Sequence, residues 1–135
     1  MIKIIKLLVG LLLFTDTSQA QIENLTSDQL IQAQKQGVPI IDIRTPKEWQ
    51  EVGVISGSYK IMYFDEKRNP KIPEFMTEFK KIVTNKNQPF ILVCRTGHRT
   101  GKATKYLSKE KGYTHAEHLA KGIKLWIAEG RRVDK

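Results

Sequence analysis

Apolar positions along this chain follow two rhythms. Ile72, Phe75, Met76, Phe79, Ile82 and Val83 recur every three or four residues, which predicts an amphipathic helix over 72–83. Pro39–Ile43 and Pro89–Val93 are instead short, solid apolar runs rich in branched residues, the pattern of buried strands. Ser58–Met62, after the Gly57 turn, and Ala116–Leu119 predict two shorter strands. Helix starts are written as capping boxes. In Thr26-Ser27-Asp28-Gln29 the threonine caps and Gln29 reaches back, and Thr45-Pro46-Lys47-Glu48 repeats the device with proline at the first helical position. The first of these helices carries Leu30, Ile31 and Ala33 and ends at Gly37; the second runs through Trp49 and stops near Gly53. Thr100–Lys111 predicts a helix with Ala103, Tyr106 and Leu107 on one side, closed by Gly112. Ile123–Glu129 predicts a last helix with Ile123, Trp126 and Ile127 inward and Gly130 at its end.

Strands alternating with helices imply an α/β fold, a small central parallel sheet with helices on both faces. No internal repeat or low-complexity tract interrupts the alternation. A length of 135 residues suits one domain, and 40% hydrophobic residues suffice for a core. In such sheets ligands bind beyond the carboxyl ends of the strands. Cys94 stands there, directly after Phe90-Ile91-Leu92-Val93.

The first twenty residues have a different character. Lys3 and Lys6 precede and interrupt an apolar run ending at Phe14, and small residues Ser18 and Ala20 follow. The pattern is that of a secretory leader cut after Ala20, leaving 21–135 as the mature domain. The run is far below the roughly 20 apolar residues of a membrane-spanning helix, so no stable membrane insertion is expected after cleavage. A buried N-terminal helix is the alternative. Export, with the periplasm as the expected compartment, argues against a nucleic-acid partner despite the formal charge of +9. Small anions or acidic membrane surfaces suit that charge better, and plain solubility accounts for many of the lysines. The chain has one cysteine, so disulfides do not hold it together.

Around Cys94 the sequence is Val93-Cys94-Arg95-Thr96-Gly97-His98-Arg99-Thr100-Gly101-Lys102, a strand, a nucleophile, a tight loop and a helix. The thiolate is the reactive form of cysteine. Loop amides, the positive end of the following helix, and the charges of Arg95 and Arg99 all favour an anion there. Gly97 lets the loop curl without a Cβ clash. The same cradle suits an anionic substrate. The bland alternative, a small buried residue at a strand end, fits most lone cysteines but not a polar, doubly cationic loop.

The chain resembles the rhodanese family. Four segments carry the resemblance in order: Ile40–Trp49, Gly53–Ser58, the Cys94 loop, and Leu119–Trp126. The match covers nearly all of residues 25–133. Three positions depart from the family pattern: Val54 replaces a usual His, Ser56 a usual Pro, and Lys121 the first of a usual Gly-Gly pair. These positions look structural, so shifted loops rather than lost activity are expected. The resemblance implies a sulfurtransferase without cofactor. Cys94 would take the outer sulfur of a donor such as thiosulfate, releasing sulfite, and hand it from a persulfide to an external thiol or cyanide. Amides and side chains of Arg95, Thr96, Gly97, His98, Arg99 and Thr100 would bind the substrate and steady the developing anion. A loop beginning Cys-Arg resembles the thiosulfate-using type, with Arg95 and Arg99 as a clamp for a dianionic donor.

Other residues have weaker claims. The resemblance places Asp42 and Arg44 near the loop, where Asp42 can accept loop hydrogen bonds and Arg44 can pair with an acid such as Glu48; support of the fold is the competing role. His98 either contacts substrate or is a solvent-facing loop tip. His115 and His118 have a metal-like spacing but lack the two further ligands that zinc needs, so no metal site is expected. Trp49 and Trp126 are expected in the core or pocket wall, and Lys102, Lys105, Lys109 and Lys111 on a solvated face. Two rival functions remain. A cysteine phosphatase typically uses Cys-x5-Arg, whereas Arg99 here gives Cys-x4-Arg. The other is a persulfide carrier, or an anion- or partner-binding module, on the same scaffold; a carrier would load sulfur readily but turn over slowly with small acceptors.

Overall fold

A computed structural model describes residues 21–135. The expected leader, residues 1–20, lies outside the described residues. Five strands and five helices alternate: β1 (Gln21–Leu25), α1 (Ser27–Lys35), β2 (Ile40–Asp42), α2 (Pro46–Val52), β3 (Tyr59–Lys60), α3 (Ile72–Ile82), β4 (Phe90–Val93), α4 (His98–Lys109), β5 (His115–Leu119) and α5 (Gly122–Ala128). The strands form one parallel sheet in the order β1-β5-β4-β2-β3. This is the α/β architecture that the alternation predicts.

Both capping boxes close. Thr26 Oγ1 accepts from the Gln29 amide at 3.2 Å while Gln29 Oε1 accepts from the Thr26 amide at 2.9 Å. Thr45 and Glu48 exchange the same pair of bonds at 3.4 Å each. Leu25, just before the first cap, and Leu30, in the second turn, are both buried in one core, the arrangement of a hydrophobic staple.

The sheet separates two apolar layers. On one face, Phe75, Met76 and Phe79 of α3 and Ala103 and Leu107 of α4 meet Ile41, Phe90, Leu92 and Ala116. Phe79 meets the rings of Phe90 and Tyr113 edge-on at 4.9 and 5.2 Å. On the other face, Leu30 of α1 and Ile123 and Trp126 of α5 cover Leu25, Ile40, Ile91, Val93 and Leu119. With both faces covered, β4 is a continuous buried run, as a central parallel strand requires.

Four details differ from the pattern-based expectation. Residues 21–25, taken to follow a cleavage point, form an edge strand along β5. The strand expected over 58–62 is reduced to two residues. Ile127 is 41% exposed rather than inward, because seven-residue α5 presents only a narrow stripe, filled by Ile123 and Trp126. Helix α4 starts at His98 rather than Thr100, since Gly97 at φ 92° makes the turn that begins it.

Candidate active site

Cys94 directly follows β4, its side chain sealed from solvent, 1% exposed. The loop then doubles back. The Gly97 amide donates to Cys94 Sγ at 3.2 Å and the Thr100 amide points at it from 3.5 Å. Thr100 Oγ1 lies 3.4 Å from the same sulfur. Sulfur is a weak acceptor when neutral and a strong one when anionic, so this convergence suits a thiolate.

The loop is held by the turn between β5 and α5. Ile123 and Lys124 amides, unpaired within α5, donate to the carbonyls of Cys94 and Arg95 at 2.9 and 3.0 Å. The approach is so close that a Cβ on Gly97 would strike the Ala120 carbonyl and one on Gly122 the Arg95 carbonyl; both glycines also have positive φ, 92° and 69°. Lys121 sits at φ −102°, so where the family has two glycines only the second is required here.

The six loop residues divide into two groups. Arg95, Thr96, His98 and Arg99 line a 720 Å³ cavity together with Thr45, Lys47, Glu48, Phe64, Asp65, Glu66, Arg68 and Lys102. Gly97 and Thr100 are absent from that lining and turn to the sulfur instead. His98 is exposed at the first position of α4, on the helix and not at a loop tip. No acidic residue occupies the first turn of α4, so its positive end is left for an anion.

Arg99 is already engaged. Its Nη1 and Nη2 donate to Glu48 Oε1 and Oε2 at 2.7 and 2.8 Å. Burial works to raise the Glu48 carboxyl, but the Arg99 bonds and charge and the Thr45 bonds outweigh it and bring the group to about 2. The Glu48 bonds hold Arg99 more firmly charged against the effect of burial, and the field of Cys94 adds to this. The expected clamp of Arg95 and Arg99 is therefore corrected: Glu48 takes both ends of Arg99, while Arg95 is exposed and without an ion-pair partner among the described residues, as are Lys47, Arg68 and Lys102 of the same cavity.

Asp42 and Arg44 are also placed differently. Both are buried, and Arg44 pairs with Asp42, not with Glu48. Arg44 Nη2 donates to Asp42 Oδ2 at 2.7 Å and to the Gly53 carbonyl at 2.6 Å. Trp49 Nε1 adds a bond to Asp42 Oδ1 at 3.0 Å. The cluster ties the end of β2 to the middle and the C-terminal end of α2, the helix from which Glu48 reaches Arg99.

Sequence reasoning passed over His118 and Asn24. The sequence spacing suggests His118 only as half of a metal pair; His115 is exposed, while His118 is buried and bonded to Thr100 and Asn24. The available signal was the register of the last strand, which puts His118 on the same sheet face as Ala116 and the cysteine-bearing end of β4.

A cysteine cradled by amides beyond the central strand of a parallel sheet defines a class of α/β domains with a thiol at the carboxyl end of the sheet. Within that class the family is clear: the model of the rhodanese-like domain matches residues 26–129, and the chain belongs to that family. An uncharacterized protein of Rickettsia conorii is 28% identical over 99 residues, covering 71% of this chain and 73% of its own. A protein of unknown function from Rhodopseudomonas palustris, described as a possible tyrosine phosphatase, superposes with a TM-score of 0.62 at 26% identity over 84% of this chain and 85% of that one. The polysulfide-sulfur transferase of Wolinella succinogenes shares the fold, with a TM-score of 0.61 at 19% identity over 84% and 78% of the two chains.

Proposed function

We propose that this protein is a sulfurtransferase that moves sulfane sulfur from a small anionic donor of the thiosulfate kind to an external thiol or cyanide. The observation that carries this is the convergence of the Gly97 amide, the Thr100 amide and the Thr100 hydroxyl on one sulfur beneath an unneutralised helix N-terminus. The Cys94 thiolate attacks the outer sulfur of thiosulfate. The S–S bond of the donor breaks, its electron pair leaves with sulfite, and Cys94 carries a persulfide anion. Cyanide or a thiolate then bonds the outer sulfur, and Cys94 departs as a thiolate. In the persulfide the negative charge passes from Cys94 Sγ to the outer sulfur, where the positive end of α4 favours it. With one cysteine in the chain, the acceptor comes from outside.

A thiosulfate:cyanide assay on the domain, with intact mass recorded after thiosulfate alone, tests the proposal. Thiocyanate formation and one added sulfur are expected, and Cys94→Ser, which keeps the shape of the site, is expected to lose both while remaining folded. Turnover retained in Cys94→Ser overturns the mechanism. One added sulfur without turnover points to a carrier awaiting a specific acceptor.

A phosphatase is the second reading, favoured by the description of the Rhodopseudomonas palustris neighbour. Against it, Arg99 in the short Cys-x4-Arg loop is held by Glu48. Hydrolysis of a phosphate ester by the purified protein decides between them. Export to the periplasm is part of the proposal on the strength of the pattern in residues 1–20, and N-terminal sequencing of the mature protein checks it.

A further inference from the structure

The contacts of Cys94 continue past Thr100. Thr100 is fully buried, and its Oγ1 lies 3.4 Å from Cys94 Sγ on one side and 2.7 Å from His118 Nδ1 on the other. His118 Nε2 is 2.7 Å from Asn24 Oδ1. Four side chains, from the residue after β4 and from α4, β5 and β1, thus form one line.

The direction of the bonds follows from its far end. Asn24 Oδ1 only accepts, so Nε2 carries hydrogen. A neutral imidazole has one N–H, which leaves Nδ1 a bare acceptor for the Thr100 hydroxyl hydrogen. The Gly97 carbonyl, at 3.2 Å, is the longer alternative for that hydrogen. A hydroxyl donating to Nδ1 turns its lone pairs toward Sγ. Burial keeps His118 below its ordinary value, which favours the neutral imidazole. Asn24 and Leu92 flank it in the sheet, and Thr100 and Gly101 approach from α4. The titratable group facing it among the described residues is Cys94. Glu23 and Glu117 project from the opposite sheet face, and Lys102 and Lys105 of α4 are exposed.

We propose that His118, oriented by Asn24, receives the proton of Cys94 through the Thr100 hydroxyl. The S–H proton moves to Thr100 Oγ1 as the hydroxyl proton moves to His118 Nδ1. One S–H bond and one O–H bond break, one O–H and one N–H bond form, and no atom is oxidised or reduced. The products are a thiolate, an intact hydroxyl and an imidazolium, the two charges separated by Thr100. His118 acts through Thr100 and is a positioning residue, whereas Thr100 touches the reacting sulfur. The proton returns by the same path when Cys94 departs from the persulfide; that return step alone rests on the sulfurtransferase proposal.

The test measures the rate of Cys94 alkylation by iodoacetamide against pH, with thiosulfate loading followed by intact mass in parallel. Glutamine at 118 can keep bonds to Thr100 and Asn24 but takes no proton. His118→Gln and Thr100→Val are each expected to slow alkylation at neutral pH by about tenfold or more and to shift the pH–rate profile toward alkaline pH. Thr100→Ser is expected to recover most of the rate lost in Thr100→Val. A folded His118→Gln protein with the wild-type rate and profile overturns the proposal. Nitrogen NMR of the wild-type imidazole gives a check independent of any variant: hydrogen on Nε2 with a bare Nδ1 is expected, and the opposite tautomer overturns the relay. Alkylation that depends on His118 in a protein that never loads sulfur supports the relay while removing the sulfurtransferase.

Discussion

Arg95 and Arg99 carry the same charge but stand in different surroundings. Arg95 has no carboxylate among the described residues to hold it, whereas Arg99 is fixed by two bonds to Glu48. Arg95→Ala is therefore expected to raise KM for thiosulfate more than for a monoanionic donor and to leave the melting temperature nearly unchanged. Arg99→Ala strands the Glu48 carboxylate in a half-buried position. It is expected to cost about 1–2 kcal/mol of stability, between the values of surface and buried pairs. Steady-state kinetics with two donors, alongside urea denaturation of both variants, separates the two roles. Equal KM changes for both donors would remove Arg95 as a reader of donor charge.

At the scale of elements, most of the architecture was legible because local signals agreed with one another. Thr26 with Gln29 and Thr45 with Glu48 announce helix starts by chemistry that needs no tertiary partner. Phe90–Val93 announces a central strand by being apolar on both faces. Residues Gln21–Leu25 carried no such signal, since Glu23 and Asn24 are poor strand formers and the segment is a strand only because β5 lies beside it. The tight loop that follows Cys94 was legible from its own residues. The partners of Arg44, Arg99 and His118 were not, because each is set by packing between segments far apart in sequence.

The same edge pairing has a measurable cost. Glu23 and Glu117 lie opposite each other in the β1–β5 register. Burial first, and then the bond and charge of Glu23, push Glu117 up to about 7 from an ordinary 4.5. Between those values the folded chain binds more protons here than the unfolded one, so this pair makes stability fall as pH rises. The lowered His118 contributes the opposite slope below its ordinary value, which makes a comparison of variants necessary. Glu117→Gln is expected to remove the loss, gaining stability relative to wild type as pH goes from about 4.5 to about 7. Urea midpoints across that range check it, and a constant difference between the two proteins would refute it.

Across the whole molecule, the active loop is shared between two distant parts of the chain. The Cys94 loop and the start of α5 are packed backbone to backbone, with Gly97 and Gly122 at the points of closest approach. Gly122→Ala is expected to lose most sulfur transfer together with stability, because the new methyl meets the Arg95 carbonyl and alanine resists the φ of 69°. Lys121→Ala, at an ordinary φ, is expected to leave the melting temperature almost unchanged. Thermal denaturation and turnover of the two neighbours give the comparison.

The bonds from Ile123 and Lys124 to the carbonyls of Cys94 and Arg95 also make the closing helix a gauge of the loop. Their amide hydrogens exchange with deuterated water only when the loop lets go of them. A donor that settles into the cradle and stiffens it will slow that exchange, nearly thirty positions along the chain from the sulfur. Occupancy of the site can thus be followed on two backbone amides, without a label on the cysteine and without waiting for a product to appear.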